Sequence, residues 1–208
     1  MNMREMINKP AAAPLPDRPM SVMDAIYARR SVRNFTAQPV STASIHMLLY
    51  AAVQAPTANN AEPWVFAVIQ DRKLLDRLSE TAKQTLWLQA QGEDADGAAR
   101  RTVSLISDPD YHVFYNSSTL IILYGKASGP FVAADCWLAA ENLMLAACTA
   151  GLGSCVIGLA VPALNSPEWK RLLDIPMELT AYAPILIGHP AEAAMPQTRK
   201  PPDVICWK

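Results

Sequence analysis

Apolar and polar positions fall into blocks along the chain, and the period of each block predicts an element. Val22, Ala25, Ile26 and Tyr27 recur at helical spacing behind Ser21 and Asp24, a weak capping-box pair. That helix should end near Arg29 and Arg30. Ser41 or Thr42 can cap a second helix, with Ile45, Leu48, Leu49, Ala52 and Val53 on one stripe and Pro56 as its stop. Trp64 to Gln70, WVFAVIQ, is a short unbroken apolar run of the kind that forms a buried strand. A third helix is expected from Arg72 to about Ala90. GEDADGAARR then reads as a polar, glycine-containing break, and a lid or insertion is expected over about 91–115.

Leu120 to Tyr124 predicts a second buried strand. From Pro130 to Ala150 runs the longest helix candidate, apolar nearly all round with Asp135 and Glu141 as its only charges, so it should be buried on more than one side. Gly151 is placed to end it. SCVIGL predicts a third strand, Ser166-Pro167 opens a short helix to Leu173, and Tyr182 to Gly188 predicts a fourth strand. The tail from Arg199 reads as extended, with VICW able to add to a sheet edge. Four prolines among residues 8–19 make residues 1–20 an N-terminal arm, with 21–208 a single domain. The expected fold is α+β: a small mixed or antiparallel sheet covered by helices on both faces, its central helix turned toward a second subunit.

Composition narrows the function classes. The net charge of −1 argues against a nucleic-acid partner, so a dense basic cluster must serve something local and small. The apolar stretch from Phe131 to Val161 is broken by Asp135 and Glu141, which argues against a membrane span. Cys136, Cys148, Cys155 and Cys206 show no C-x-x-C spacing, and the N-terminus has no apolar signal core. Both point to a reducing, cytoplasmic setting.

Nucleophilic and metal chemistry find little support. His46, His112 and His189 are scattered, and Ser154 in GLGSCVIG is not in a G-x-S-x-G elbow. In the same stretch Gly158 comes two positions late for a dinucleotide fingerprint, which in any case needs a strand running into a helix. Gly151 and Gly153 still leave open backbone where a flat ligand can approach. The cluster Arg29, Arg30, Ser31 and Arg33 reads either as cations dressing a helix C-terminus or as a phosphate site built from guanidinium forks and a hydroxyl. Arg199 and Lys200 form a second basic pair. The loop Ala55 to Trp64 offers Thr57, Asn59 and Asn60, which suit the edge of a heteroaromatic ring or, equally, an Asx-turn. Tyr111, His112, Phe114 and Tyr115 read as substrate-pocket or as core and interface residues.

Three motifs in order resemble the FMN-dependent nitroreductase family over Ser21 to Trp207. They are R-R-S-x-R-x-F at Arg29–Phe35, the P-T-A-N-N-A-E-P-W run at Pro56–Trp64, and the apolar helix entering Gly151-Leu152-Gly153-Ser154-Cys155. The resemblance implies a nitroreductase-like fold, an interlocked homodimer and two FMN sites at the subunit interface. It implies that Arg29 and Ser31, with Arg30 alongside, meet the phosphate and ribityl chain, and that Arg33 approaches the pyrimidine edge. Pro56, Thr57, Ala58 and Asn60 would line the ring from the other subunit. Val156, Ile157 and Gly158 would offer backbone groups to the ring, and Arg199 with Lys200 would close on the phosphate. No protein group is expected to be catalytic in itself. NADH or NADPH would reduce FMN, and a nitroaromatic, quinone or similar acceptor would be reduced in turn. Flavin reduction, enone reduction, reductive dehalogenation and non-catalytic FMN binding are the alternatives. Glu62 stands where the family usually has Gln and is expected to cap the loop instead.

Overall fold

A computed structural model describes residues 20–89, 97–126, 129–193, 195 and 197–208. The expected arm, except Met20, and the first part of the 92–101 break lie outside the described residues. Helices α1 (Val22–Ala28), α2 (Thr42–Ala52), α3 (Arg72–Gln89), α4 (Gly97–Ile106), α5 (Val132–Thr149), α6 (Val161–Leu164) and α7 (Pro167–Leu172) surround strands β1 (Trp64–Ile69), β2 (Thr119–Gly125), β3 (Gly153–Val156) and β4 (Thr180–Gly188). The strands form one antiparallel sheet in the order β1-β2-β4-β3.

The helix starts follow local chemistry. Ser21 and Asp24 make the full reciprocal capping box, each side chain bonding the other's backbone N–H. Ser41 caps α2 through the N–H of Ser44, and Ser166 caps α7 through that of Trp169. The polar break is shorter than the sequence suggests. Gly97 to Arg101 belong to α4, because Ala-Ala-Arg-Arg are strong helix formers once a first turn is set.

Alternation along β2 sorts the core into two layers. Leu120, Ile122 and Tyr124 face α3, α6 and α7, joining Leu75, Leu78, Leu164 and Trp169. Ile121 and Leu123 face α2 and α5, joining Leu48, Ala52, Cys136, Ala140 and Leu143. Both faces are covered, so β2 reads as an unbroken apolar run with every residue buried. On β4 the register slips where Leu123 pairs Ala183 and Tyr124 pairs Ala181. That bulge lets Tyr182 and Ala183 both serve the α5 side.

Gly151 decides where α5 stops. Its φ is +71°, its N–H donates to the Cys148 carbonyl at 3.1 Å, and the N–H of Leu152 donates to the Ala147 carbonyl at 2.8 Å. This is a Schellman ending, and it turns the chain straight into β3. The sequence expectation of a strand over 154–159 is cut short after Val156. Ile157 donates its N–H to the Pro184 carbonyl at 2.9 Å, and the chain then winds into a 3₁₀ turn at Gly158–Ala160. A Cβ on Gly151 meets nothing within 4 Å, so Gly151→Ala should isolate the cost of left-handed backbone. The expected loss is ~1–2 kcal/mol, read as a lower urea midpoint with unchanged m-value.

Candidate functional site

The arginine loop leaves α1 and is fastened along the edge of β3. Ser31 bridges Ser154, and the N–H of Val32 donates to the Ser154 carbonyl at 2.9 Å. The Val32 side chain lies so close over Gly153 that an added Cβ would stand 2.8 Å from its Cγ2; only glycine permits this approach. Further along, Thr36 donates to the His189 carbonyl at 2.9 Å and Ala191 to the Asn34 carbonyl at 3.0 Å. The segment that follows β4 is therefore zipped to the arginine loop.

The three arginines take different places. Arg29 pairs with Glu141 of α5 at 3.4 Å. Arg30 turns back on α1: its Nη1 donates to the carbonyls of Tyr27 and Arg29, both at 2.7 Å, while its Nε is buried without a partner. Arg33 enters a cleft with Tyr111, Val113, Tyr115, Cys155, Val156, Ile157, Gly158 and Leu159. The space in front of Gly158 is open, with nothing within 4 Å of a Cβ built there. Ser31 hydrogen-bonds the Cys155 thiol, and Arg29 and Arg33 favour its thiolate, but burial outweighs them and pushes the thiol up. The cleft therefore presents cations and backbone with no activated nucleophile.

The turn carrying Tyr111 sorts residues that the sequence left open. Val113 and Phe114 are core, His112 turns to Asp76 of α3 at 3.0 Å, and the two tyrosines line the cleft. Burial lowers the His112 pKa. The N–H of Phe114 donates to its Nδ1, which fixes the proton on Nε2, toward Asp76.

The second loop is built at the far end of α5. Ala58–Asn60 form a 3₁₀ turn in which Asn59 and Asn60 hold φ of 53° and 52°. Asparagine tolerates this region; Glu62, at φ 43°, is strained there. The Thr57 hydroxyl accepts the N–H of Glu62 at 3.3 Å, so Thr57 rather than the Glu62 carboxylate ties the loop. Asp135, buried in α5, accepts the N–H of Ala58 at 3.2 Å. The sequence showed Asp135 and Glu141 as interruptions of an apolar helix. The structure makes each a tether, one for each loop.

Neither Pro56, Thr57, Ala58 nor Asn60 lines the Arg33 cleft. Their anchor, Asp135, is six residues before Glu141 on α5, a rise of about 9 Å, and on a different side of the helix. Arg199 and Lys200 are exposed, with no hydrogen bond or ion pair to another described residue. One chain thus gathers Ser31, Arg33, Val156, Ile157 and Gly158, with Arg29 and Arg30 alongside, and leaves the other candidates apart. Among the described residues no His, Cys, Asp or Glu cluster can hold a metal, and no helix is long and apolar enough to cross a membrane.

Residues 26–189 match the Nitroreductase family. Similar proteins include an FMN reductase [NAD(P)H] of Bacillus subtilis, 27% identical over 88% of this chain and 72% of its own length. An iodotyrosine deiodinase of Thermotoga neapolitana is 25% identical over 80% of this chain and 87% of its own. Among solved structures, a nitroreductase with bound FMN from Bacteroides fragilis superposes with a TM-score of 0.76 at 25% identity, covering 90% of this chain and 97% of that one.

The two tethers should differ in strength. Asp135→Ala leaves the Ala58 N–H without its charged acceptor and should cost ~1.5–3 kcal/mol. Glu141→Ala removes a half-exposed pair and should cost under ~1 kcal/mol. Urea unfolding of the two variants checks the order.

Proposed function

The chain belongs to the nitroreductase family, and from that premise we propose that it is an NAD(P)H-dependent oxidoreductase working through bound FMN on nitroaromatic, quinone or similar electron-poor acceptors. The observation that carries the reading is the pairing of Ser31 and Val32 with Ser154, which sets Arg33 in one cleft with Val156, Ile157 and Gly158. The residues fit the cofactor. The orphan Nε of Arg30 is a buried donor in need of an acceptor, Arg29 and Ser31 add a guanidinium and a hydroxyl, and the open face at Gly158 admits a flat ring.

When bound, FMN supplies the redox step, a hydride taken from NADH or NADPH and reducing equivalents passed to an acceptor in ping-pong order. The chain supplies the rest. Arg29 and Ser31 hold the phosphate by charge-assisted hydrogen bonds, with Arg30 beside them. Arg33 places a fixed cation at the pyrimidine edge, where negative charge accumulates on reduction. Backbone groups of Val156 to Gly158 orient the ring. The Cys155 thiol, kept protonated by burial, takes no part.

A second copy of the chain completes the site in this reading. It supplies Pro56, Thr57, Ala58 and Asn60 to the ring, and Arg199 with Lys200 closes on the phosphate. Unpartnered apolar surface supports a homodimer. On α1, Val22 is 70% and Tyr27 71% exposed, and Trp137 and Leu138 lie on the outer side of α5. The outer side of β1 is an open strand edge, and the exposed tail residues Val204, Ile205 and Trp207 can add to it. Residues 21–208 act as one FMN-binding domain. Four free thiols suit the cytoplasm.

The experiment is anaerobic mixing with NADPH. The purified protein should be yellow, bleach promptly, and recover colour when an acceptor is added. Arg29→Ala should lose bound FMN by at least tenfold in affinity, as removal of a charge-assisted partner worth ~1.5–3 kcal/mol requires. A preparation that stays yellow with NADPH and also with NADH is a carrier, and full occupancy in the variant removes Arg29 from the site.

A further inference from the structure

The Arg33 cleft has a second polar wall that the cofactor reading has not used. Tyr111 and Tyr115 meet edge to face with ring centroids 5.8 Å apart, and their hydroxyls are 3.3 Å apart. Both are half-buried and both line the cleft together with Arg33 and the end of β3. In a pair of touching hydroxyls one donates to the other, so the pair keeps a single free O–H for a third group. Burial and the Tyr115 contact push the Tyr111 hydroxyl up from its ordinary range.

The turn that carries the pair is bolted to α3 at several points. Lys83 Nζ donates to the Tyr111 carbonyl at 3.1 Å, the Val113 N–H donates to Ser79 Oγ at 2.9 Å, and Arg72 reaches the Asn116 carbonyl at 3.3 Å. The contact of His112 with Asp76 adds another. Tyr115 and Asn116 are held in left-handed backbone, φ 48° and 57°. Such strain persists only where surrounding contacts over-determine it, and here it fixes the direction of the tyrosine rings.

Resting on the FMN reading above, we infer that the Tyr111–Tyr115 pair is a cofactor-binding element: its free hydroxyl donates to the pyrimidine edge of FMN beside Arg33 and favours the reduced form. The chemistry matches by count. The cleft offers one neutral O–H and one guanidinium to an edge that carries carbonyl acceptors and gains negative charge on reduction. A donor already aimed at that charge stabilises it without reorganisation.

The test uses the full chain loaded with FMN, its Tyr111→Phe and Tyr115→Phe variants, which keep the ring contact and remove one hydroxyl each, and the double variant, which removes both. FMN affinity is read by fluorescence quenching and the midpoint potential by equilibration with reference dyes. The double variant should bind reduced FMN about tenfold less tightly relative to oxidised FMN, a shift of about 30 mV to more negative potential for a two-electron couple, and each single variant, which keeps one free O–H, should shift less. A potential equal to that of the unsubstituted protein in the double variant overturns the inference. So does a raised KM for the acceptor with potential unchanged, which would place the pair against substrate. Failure of the unsubstituted chain to take up FMN overturns the cofactor reading itself, and is seen before any variant is made.

Discussion

The pairing of the Ser31–Val32 backbone with Ser154 is the contact on which the site depends. Without it the segment after α1 is a helix end dressed with cations in solvent, where each charge contributes little. With it, Arg29 pairs with Glu141 of α5, Arg30 turns back on α1, and Arg33 shares the cleft with the open backbone of Gly158. The pairing has two prerequisites. Gly153 must lack a side chain, because Val32 occupies the place of its Cβ. Gly151 must end α5 in left-handed backbone, because only three residues, Ala150, Gly151 and Leu152, separate α5 from β3.

Helix α5 divides the remaining work. Its inner side, from Cys136 through Ala140 to Ala147, fills the space under the sheet. Its outer side carries Trp137, Leu138 and Glu141. Two charges in an otherwise apolar helix hold two loops in separate places: Asp135 the turn at Ala58, Glu141 the guanidinium of Arg29. A buried carboxylate must be hydrogen-bonded to be tolerated, so the position of the first loop is not free to drift. The separation of these loops on one chain, and the apolar surface left over on α1 and α5, are what the proposed second copy of the chain would account for.

Much of this was legible in the sequence, for identifiable reasons. Elements set by local chemistry could be read: the Ser21–Asp24 box, the Ser41 and Ser166 caps, the Gly151 ending, and the run from Leu120 to Tyr124 that only a strand covered on both faces explains. Elements set by distant partners could not. The third strand looked longer because Ile157 and Gly158 are good strand continuations until Pro184 claims the Ile157 N–H. Helix α4 was hidden by glycine and acidic residues at its start. Asp135 and Glu141 showed their charge but not the loops they hold, which lie far off along the chain. The tyrosines of the 111–116 turn could be read as pocket or as core and interface; that Tyr111 and Tyr115 line the cleft while Phe114 is core appears only when α3 is in place.

The central claim is that positive side chains from both ends of the chain meet one flavin phosphate held between two copies. Sedimentation velocity monitored together at 280 nm and 450 nm tests it most directly. The account predicts that all flavin absorbance travels with a dimer, at one flavin per chain, and that no yellow monomer exists at any loading concentration. Flavin travelling with a stable monomer, or a dimer that binds none, would contradict it.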